Sequence, residues 1–329
     1  MKSSIIFEQI FVEASKYSND LLDWLTKRYF LKILLKGKDY MALSTFVESK
    51  INDLVLDTKQ ELIRSFLSDF PDASKSAFKK DEYLKSIIGF MLVYYIWLRN
   101  EDEQELIEKF DDIFMSGILG TLGYGIIDAY CDNRIVSDQN IYLSLQLISM
   151  YEYKLINCFG FSKGNLDLLQ KLKLILNKTE YLEKSLFLKK SPYKKGFISE
   201  CGNKASHLFF PLGLLLLRMG VKEDIDIYLR VYLNCAAVIQ VIDDIGDVEE
   251  DLQNGHYSFP IMLLNQDNAQ YTHLSKKDII GNRELMLQIK ANLLETIKVS
   301  EELIEQYNIP IFPFAYINQA VKARVLIII

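Results

Sequence analysis

The residues of this chain best suited to chemistry lie between Tyr232 and Pro260, in YLNCAAVIQVIDDIGDVEEDLQNGHYSFP. Wound as an α-helix at about 100° per residue, the stretch places Gln240, Asp243, Asp244, Asp247, Glu250 and Asp251 within roughly a third of the circumference. Val241, Ile245, Val248 and Leu252 take the opposite side. A row of carboxylates can simply lie solvated along an amphipathic surface helix. Two features favour a metal site instead. The acidic face continues N-terminally into Tyr232, Ala236 and Ile239, so the helix reaches the cluster apolar on every side, as a buried helix does. The carboxylates also crowd the last turns before a stop at Asn254-Gly255, where backbone carbonyls already present partial negative charge and a cation must compensate. Hard oxygen ligands that leave room for water and a phosphate suit Mg²⁺, which takes one or two carboxylates per ion.

With Gln240-x-x-Asp243-Asp244-x-x-Asp247 followed by Asp251, Gly255 and Ser258-x-Pro260, the stretch resembles the second aspartate-rich motif of the trans-polyprenyl diphosphate synthases, in shortened form. Shifted by one turn, Gln240, Asp243, Asp247, Asp251, Gly255 and Pro260 also resemble the second acidic motif of squalene and phytoene synthases. Both belong to the class I isoprenoid synthase superfamily, along with the terpene cyclases. The resemblance implies a single all-α domain over residues 1–329, a helical bundle around a central cavity. It also implies a prenyl diphosphate substrate held by Mg²⁺, with three ions per diphosphate.

Such a mechanism clamps the diphosphate between two acidic walls, so a second carboxylate site is expected. Ile118 to Asp132, ILGTLGYGIIDAYCD, is apolar and glycine-rich and ends in Asp128 and Asp132, spaced i, i+4 on one helical face. Taken alone, the pair reads as an ordinary helix end entering the polar segment Asn133 to Asn140. Paired with the downstream cluster it becomes the better metal site, similar to the superfamily's first motif in a DxxxD version. Asp111-Asp112 is the rival, at a spacing closer to that of the superfamily, but Glu108 and Lys109 beside it suggest a solvated turn. Gly120, Gly123 and Gly125 allow close helix packing or leave space for a substrate chain.

The densest basic stretch holds Lys184, Lys189, Lys190, Lys194, Lys195 and Lys204. Lys204, in Gly202-Asn203-Lys204-Ala205-Ser206 ahead of an apolar helix from Leu208 to Leu217, sits where prenyl synthases carry a Lys-Thr pair on a broken helix; Ala205 replaces the threonine. The resemblance makes Lys204 a charge on the departing diphosphate, against the plainer reading of a solvated helix start. Gln240 would serve the diphosphate or its metal shell, and Arg134 and Arg218 are weaker cations for it. Chain-elongating synthases carry a Gly-Gly-Lys-Arg loop and an Arg pair for the homoallylic co-substrate; here only Lys36-Gly37-Lys38-Asp39 and the single Arg134 approach them. The expected activity is therefore that of a terpene synthase, needing one substrate. A prenyltransferase, elongating or head-to-head, is the enzyme alternative, and a non-catalytic partner of a prenyl synthase the other. Tyr124 and Tyr232, each preceding an acidic motif on its own face, are the aromatics expected to line the pocket, although aromatic stripes are usually core.

These residues need long helices to hold them, and the chain has the means. Half of its 329 residues are apolar, enough for a large core. Helical periodicity dominates, with breaks at Lys36 to Asp39, Phe70 to Ser74, Asn133 to Asn140, Phe159 to Asn165, Ser191 to Asn203, Gly220 to Glu223, Asn254 to Pro260 and Asn265 to His273. A net charge of -6 argues against a nucleic-acid surface. Cys131, Cys158, Cys201 and Cys235 show no short paired spacing, which fits a reduced cytoplasmic interior. Glu8 and Glu13 interrupt the N-terminal apolar rhythm, so no signal peptide is expected, and the apolar run Ile87 to Leu98 is too short to span a membrane. The apolar tail Val325 to Ile329 is expected to pack on the body, and a homodimer stays open.

Overall fold

A computed structural model describes residues 104–131, 138–189, 197–253, 258–264 and 274–309, together with Phe314, Asn318, Val321, Lys322, Val325 and Leu326. Among them every regular element is helical and none is a strand, as the periodicity requires. Several features named above lie outside the described residues: Glu8 and Glu13, Lys36 to Asp39, Phe70 to Ser74, Ile87 to Leu98, Asp132, Arg134, Lys190 to Lys195, Asn254 to Tyr257 and Asn265 to His273. So do the side chains of Asp111, Lys184 and Lys189.

The chain divides into two compact units. In the first, a short helix α1 (Gln104–Glu108) leads into α2 (Phe110–Cys131, of which the unit holds the part up to Tyr130), and α3 (Asp138–Phe159) follows. A methyl group on Gly120 would come within 2.7 Å of the Tyr151 ring, and one on Gly123 within 2.8 Å of Ile148 Cγ1 and 3.0 Å of the Ser144 carbonyl oxygen. The two glycines thus let α2 lie directly on α3. Of the two uses open to them, close packing is the one realised.

The second unit comprises Cys131–Arg134 and Phe161–Ile329. It holds α4 (Lys163–Lys189), α5 (Phe197–Cys201), a 3-10 helix (Gly202–Phe209), α6 (Phe210–Arg218), α7 (Ile225–Gln253), α8 (Phe259–Leu264), α9 (Lys276–Gly281) and α10 (Arg283–Gln306). Helix α7 is its axis: α5, the 3-10 helix, α6, α8, α9 and α10 all pack against it. Val231, Ala237, Val238, Val241 and Val248 have no exposed surface. By length and composition α7 is also apolar enough to cross a membrane, which no short apolar run reveals; most of its apolar side chains are buried within this unit. Two of the expected breaks are tight helix ends, with Gly160 at φ 91° and Gly220 at φ 86°, values that suit glycine. Farther along, Phe314 meets the Tyr228 ring edge-on at 5.1 Å, the Cys235 thiol donates to Asn318 Oδ1 at 3.4 Å, and Val321 and Val325 are fully buried.

Among the described glycines the closest approach is at Gly202. A Cβ there would stand 1.9 Å from the Leu233 carbonyl oxygen and 2.9 Å from the Ala237 nitrogen, both backbone atoms of α7 that cannot rotate away. Gly246, near the other end of the same helix, faces open space. Gly202→Ala is therefore expected to destabilise the protein by about 3 kcal/mol or more, at the upper end of overpacking costs. Gly246→Ala should stabilise it by about 0.5–1 kcal/mol through helix propensity. Urea unfolding midpoints of the two variants would move in opposite directions.

Candidate functional site

On α7, Asp243, Asp247 and Glu250 are exposed, and Gln240, Asp244 and Asp251 are half-buried, while Val241, Ile245 and Val248 are buried on the other side. The helix is described as far as Gln253, and the expected stop at Asn254-Gly255 lies outside the described residues. Gln240 and Asp244 are brought together: Gln240 Nε2 donates to Asp244 Oδ1 at 3.1 Å. The other oxygen of that carboxylate, Oδ2, accepts the backbone N–H of Phe259 at 3.2 Å. The amide expected at the diphosphate or its metal shell is thus turned towards its own helix. Asp243 and Asp247, a turn apart and open to solvent, offer the hard oxygen donors Mg²⁺ takes, with Asp251 one turn further on. Among the described residues no three His, Cys, Asp or Glu side chains converge into a ready-made metal cage. A Mg²⁺ ion on this face would complete its shell with water or phosphate oxygens, which is its habit.

Lys204 lies half-buried on the 3-10 helix, two residues after the Gly202 contact with α7. Its carbonyl accepts the His207 Nδ1–H at 3.0 Å, and the Ser206 hydroxyl donates to the Leu172 carbonyl at 3.2 Å, fastening this turn to α4. The apolar helix expected from Leu208 starts at Phe210 instead, because the 3-10 pattern runs through Phe209. Pro211, which has no N–H to donate, sits comfortably in the first turn of α6. Residues 197–218 therefore form a helix that changes from α to 3-10 and back, carrying Lys204 in the altered part. Arg218 is exposed at the end of α6.

In the first unit, Asp128 is half-buried near the end of α2. Tyr124, one turn before it, is buried, and its hydroxyl bonds to the Glu152 carboxylate of α3. Burial first, then the negative charge of Glu152 and that hydrogen bond, push the phenol well above its ordinary range. The Tyr151 ring closes on Tyr124 edge-on at 6.3 Å. Glu152 escapes a reading of acidic clusters because it stands alone; the signal for it is a carboxylate set between Ile148, Tyr151 and Leu155 on the apolar stripe of α3. Asp112 of the rival pair is solvent-exposed and paired with Lys154 Nζ at 3.2 Å, in keeping with a solvated helix start.

Tyr232 is buried, its ring 5.4 Å from that of Phe209, so its contacts here are those of the core. Burial pushes the Cys235 thiol up to about 12 and raises the Tyr232 hydroxyl further. A phenol held neutral in the folded protein contributes stability that is complete below its unfolded value of 10.0 and is lost as pH rises beyond it. The Cys235 thiol, whose unfolded value is 9.0, begins the same loss earlier, so the urea midpoint is expected to fall as pH rises beyond about 9, and to fall less in Tyr232→Phe.

No protein-family model and no curated protein matches the chain. Among solved structures it is similar to the crystal structure of geranylgeranyl pyrophosphate synthase from Lactobacillus brevis ATCC 367, with a TM-score of 0.58 over 92% of this chain and 99% of that one, at 12% sequence identity. At that identity the likeness is one of shape, and the chain has the all-α isoprenoid synthase fold.

Proposed function

We propose that the chain is a Mg²⁺-dependent prenyltransferase acting on an allylic prenyl diphosphate. The observation that carries this reading is the likeness to a geranylgeranyl pyrophosphate synthase over nearly the whole of both chains, joined to a solvent-facing carboxylate row on α7. Asp243, Asp247 and Asp251 on that row are proposed as metal ligands, and the motif resemblance makes Asp128 and Asp132 candidates of the same kind upstream. Bound Mg²⁺ supplies charge neutralisation to the diphosphate and so makes it a better leaving group. Lys204 contributes a point charge to the oxygen that gains electrons as the allylic C–O bond breaks. The allylic cation then alkylates the double bond of a homoallylic co-substrate, with loss of a proton.

One observation favours a second reading, a terpene synthase. Arg134 stands alone where chain-elongating synthases carry an Arg pair, and Lys36-Gly37-Lys38-Asp39 replaces their Gly-Gly-Lys-Arg loop, so the co-substrate diphosphate has few cations in this sequence. Diphosphate release from ten-, fifteen- and twenty-carbon allylic diphosphates, with and without isopentenyl diphosphate, separates the two. A prenyltransferase releases diphosphate only with the co-substrate and yields a longer diphosphate; a hydrocarbon or alcohol from one allylic substrate alone would establish the cyclase. In the active pairing, Asp243→Asn and Lys204→Ala are each expected to lower turnover by roughly 10²-fold or more, with helical content unchanged by circular dichroism. An unchanged rate would return either residue to the solvated surface.

A further inference from the structure

We propose that Asp244 is a positioning residue whose carboxylate clasps α8 to α7, and that it acts through its two acceptor atoms rather than through its charge. The proposal rests on the prenyltransferase reading only for its effect on turnover; the clasp itself stands on geometry. Asp243 and Asp244 are neighbours in sequence but differ in environment, the first exposed and the second half-buried. One oxygen of Asp244 takes the Gln240 side-chain amide of the preceding turn, and the other takes the N–H of Phe259, fifteen residues on. Phe259 is the first residue of α8 and is wholly buried, and its N–H has no acceptor within its own helix. Asp244 satisfies that donor, which left bare would cost about 1–3 kcal/mol. Two donors fix the plane of the carboxylate, and the turn of α7 that bears Asp243 and Asp247 is thereby held in register with α8.

An asparagine can do the same work without charge. Its Oδ1 accepts from Phe259, and its Nδ2 donates to Gln240 Oε1 once that amide rotates. A metal ligand would not survive this change, whereas a clasp would. The test measures hydrogen exchange of the Phe259 amide and the Mg²⁺ concentration for half-maximal diphosphate release in the full chain. In Asp244→Asn both are expected to stay within about threefold of the wild type. In Asp244→Ala exchange should quicken by about tenfold or more, the loss of a hydrogen bond to a charged group, and kcat should fall without a shift in the Mg²⁺ requirement. Asp243→Asn is expected to show the converse, a raised Mg²⁺ requirement with Phe259 protection intact. Where Asp244→Ala fails to fold, Gln240→Ala removes one arm alone and should quicken exchange severalfold. The clasp is overturned if Asp244→Asn raises the Mg²⁺ requirement as Asp243→Asn does, or if neither alanine variant alters Phe259 exchange. Absence of turnover in the wild-type chain would count against the prenyltransferase reading alone, because the exchange comparison needs no substrate.

Discussion

The burial of α7 within its unit is the constraint on which the candidate site depends. From Tyr228 to Val238 the helix is enclosed on nearly every side, and from Val241 onward only one flank stays covered while the other turns to solvent. Each fully buried valine of that flank contributes about 1.5–3 kcal/mol relative to exposure. The inner flank therefore sets the rotation of the helix, and the position of the carboxylates follows from it. An amphipathic helix lying loose on a surface would have no such fixed azimuth.

Two devices keep the helix in place. Gly202 brings the 3-10 segment into backbone contact with Leu233 and Ala237, and this contact, together with the Ser206 bond to α4, fixes where Lys204 leaves the chain. Farther along, Asp244 spends its oxygens on Gln240 and on the start of α8. The acidic row is thus not uniform. Neighbouring carboxylates face different demands, structural for one and solvent-facing for the next, and a short stretch of helix can carry both because successive residues point about 100° apart.

The first unit follows the same logic with different parts. Glycines at 120 and 123 let α2 and α3 touch, and the contact buries Tyr124 beside Glu152. The buried Tyr124, one turn before Asp128, and the half-buried Glu152 of α3 tie the end of α2 to its neighbour, since both polar groups lose much if separated. In each unit a carboxylate engaged in packing, Glu152 in the first and Asp244 in the second, ties down the helix that carries an acidic motif.

Much of this was legible in the residues themselves. The all-α class and the rotation of the acidic face of α7 follow from a local rule, the 3.6-residue period, while the missing Cβ of Gly120 and Gly123 left two uses open, between which the packing of α2 on α3 chose. What periodicity could not supply is the choice among equivalent side chains. Asp243 and Asp244 look alike in sequence, and only the return of the chain to place the Phe259 N–H beside one of them sets them apart. Glu152 became the partner of Tyr124, and Gly202 the contact of Leu233, by the same means. Such pairings join residues far apart along the chain, so they depend on how helices pack rather than on how each one winds. The sequence by itself determined which faces are acidic and which apolar; the tertiary structure decided which acidic groups are consumed in holding the fold, because that depends on which buried donors the packing leaves without an acceptor.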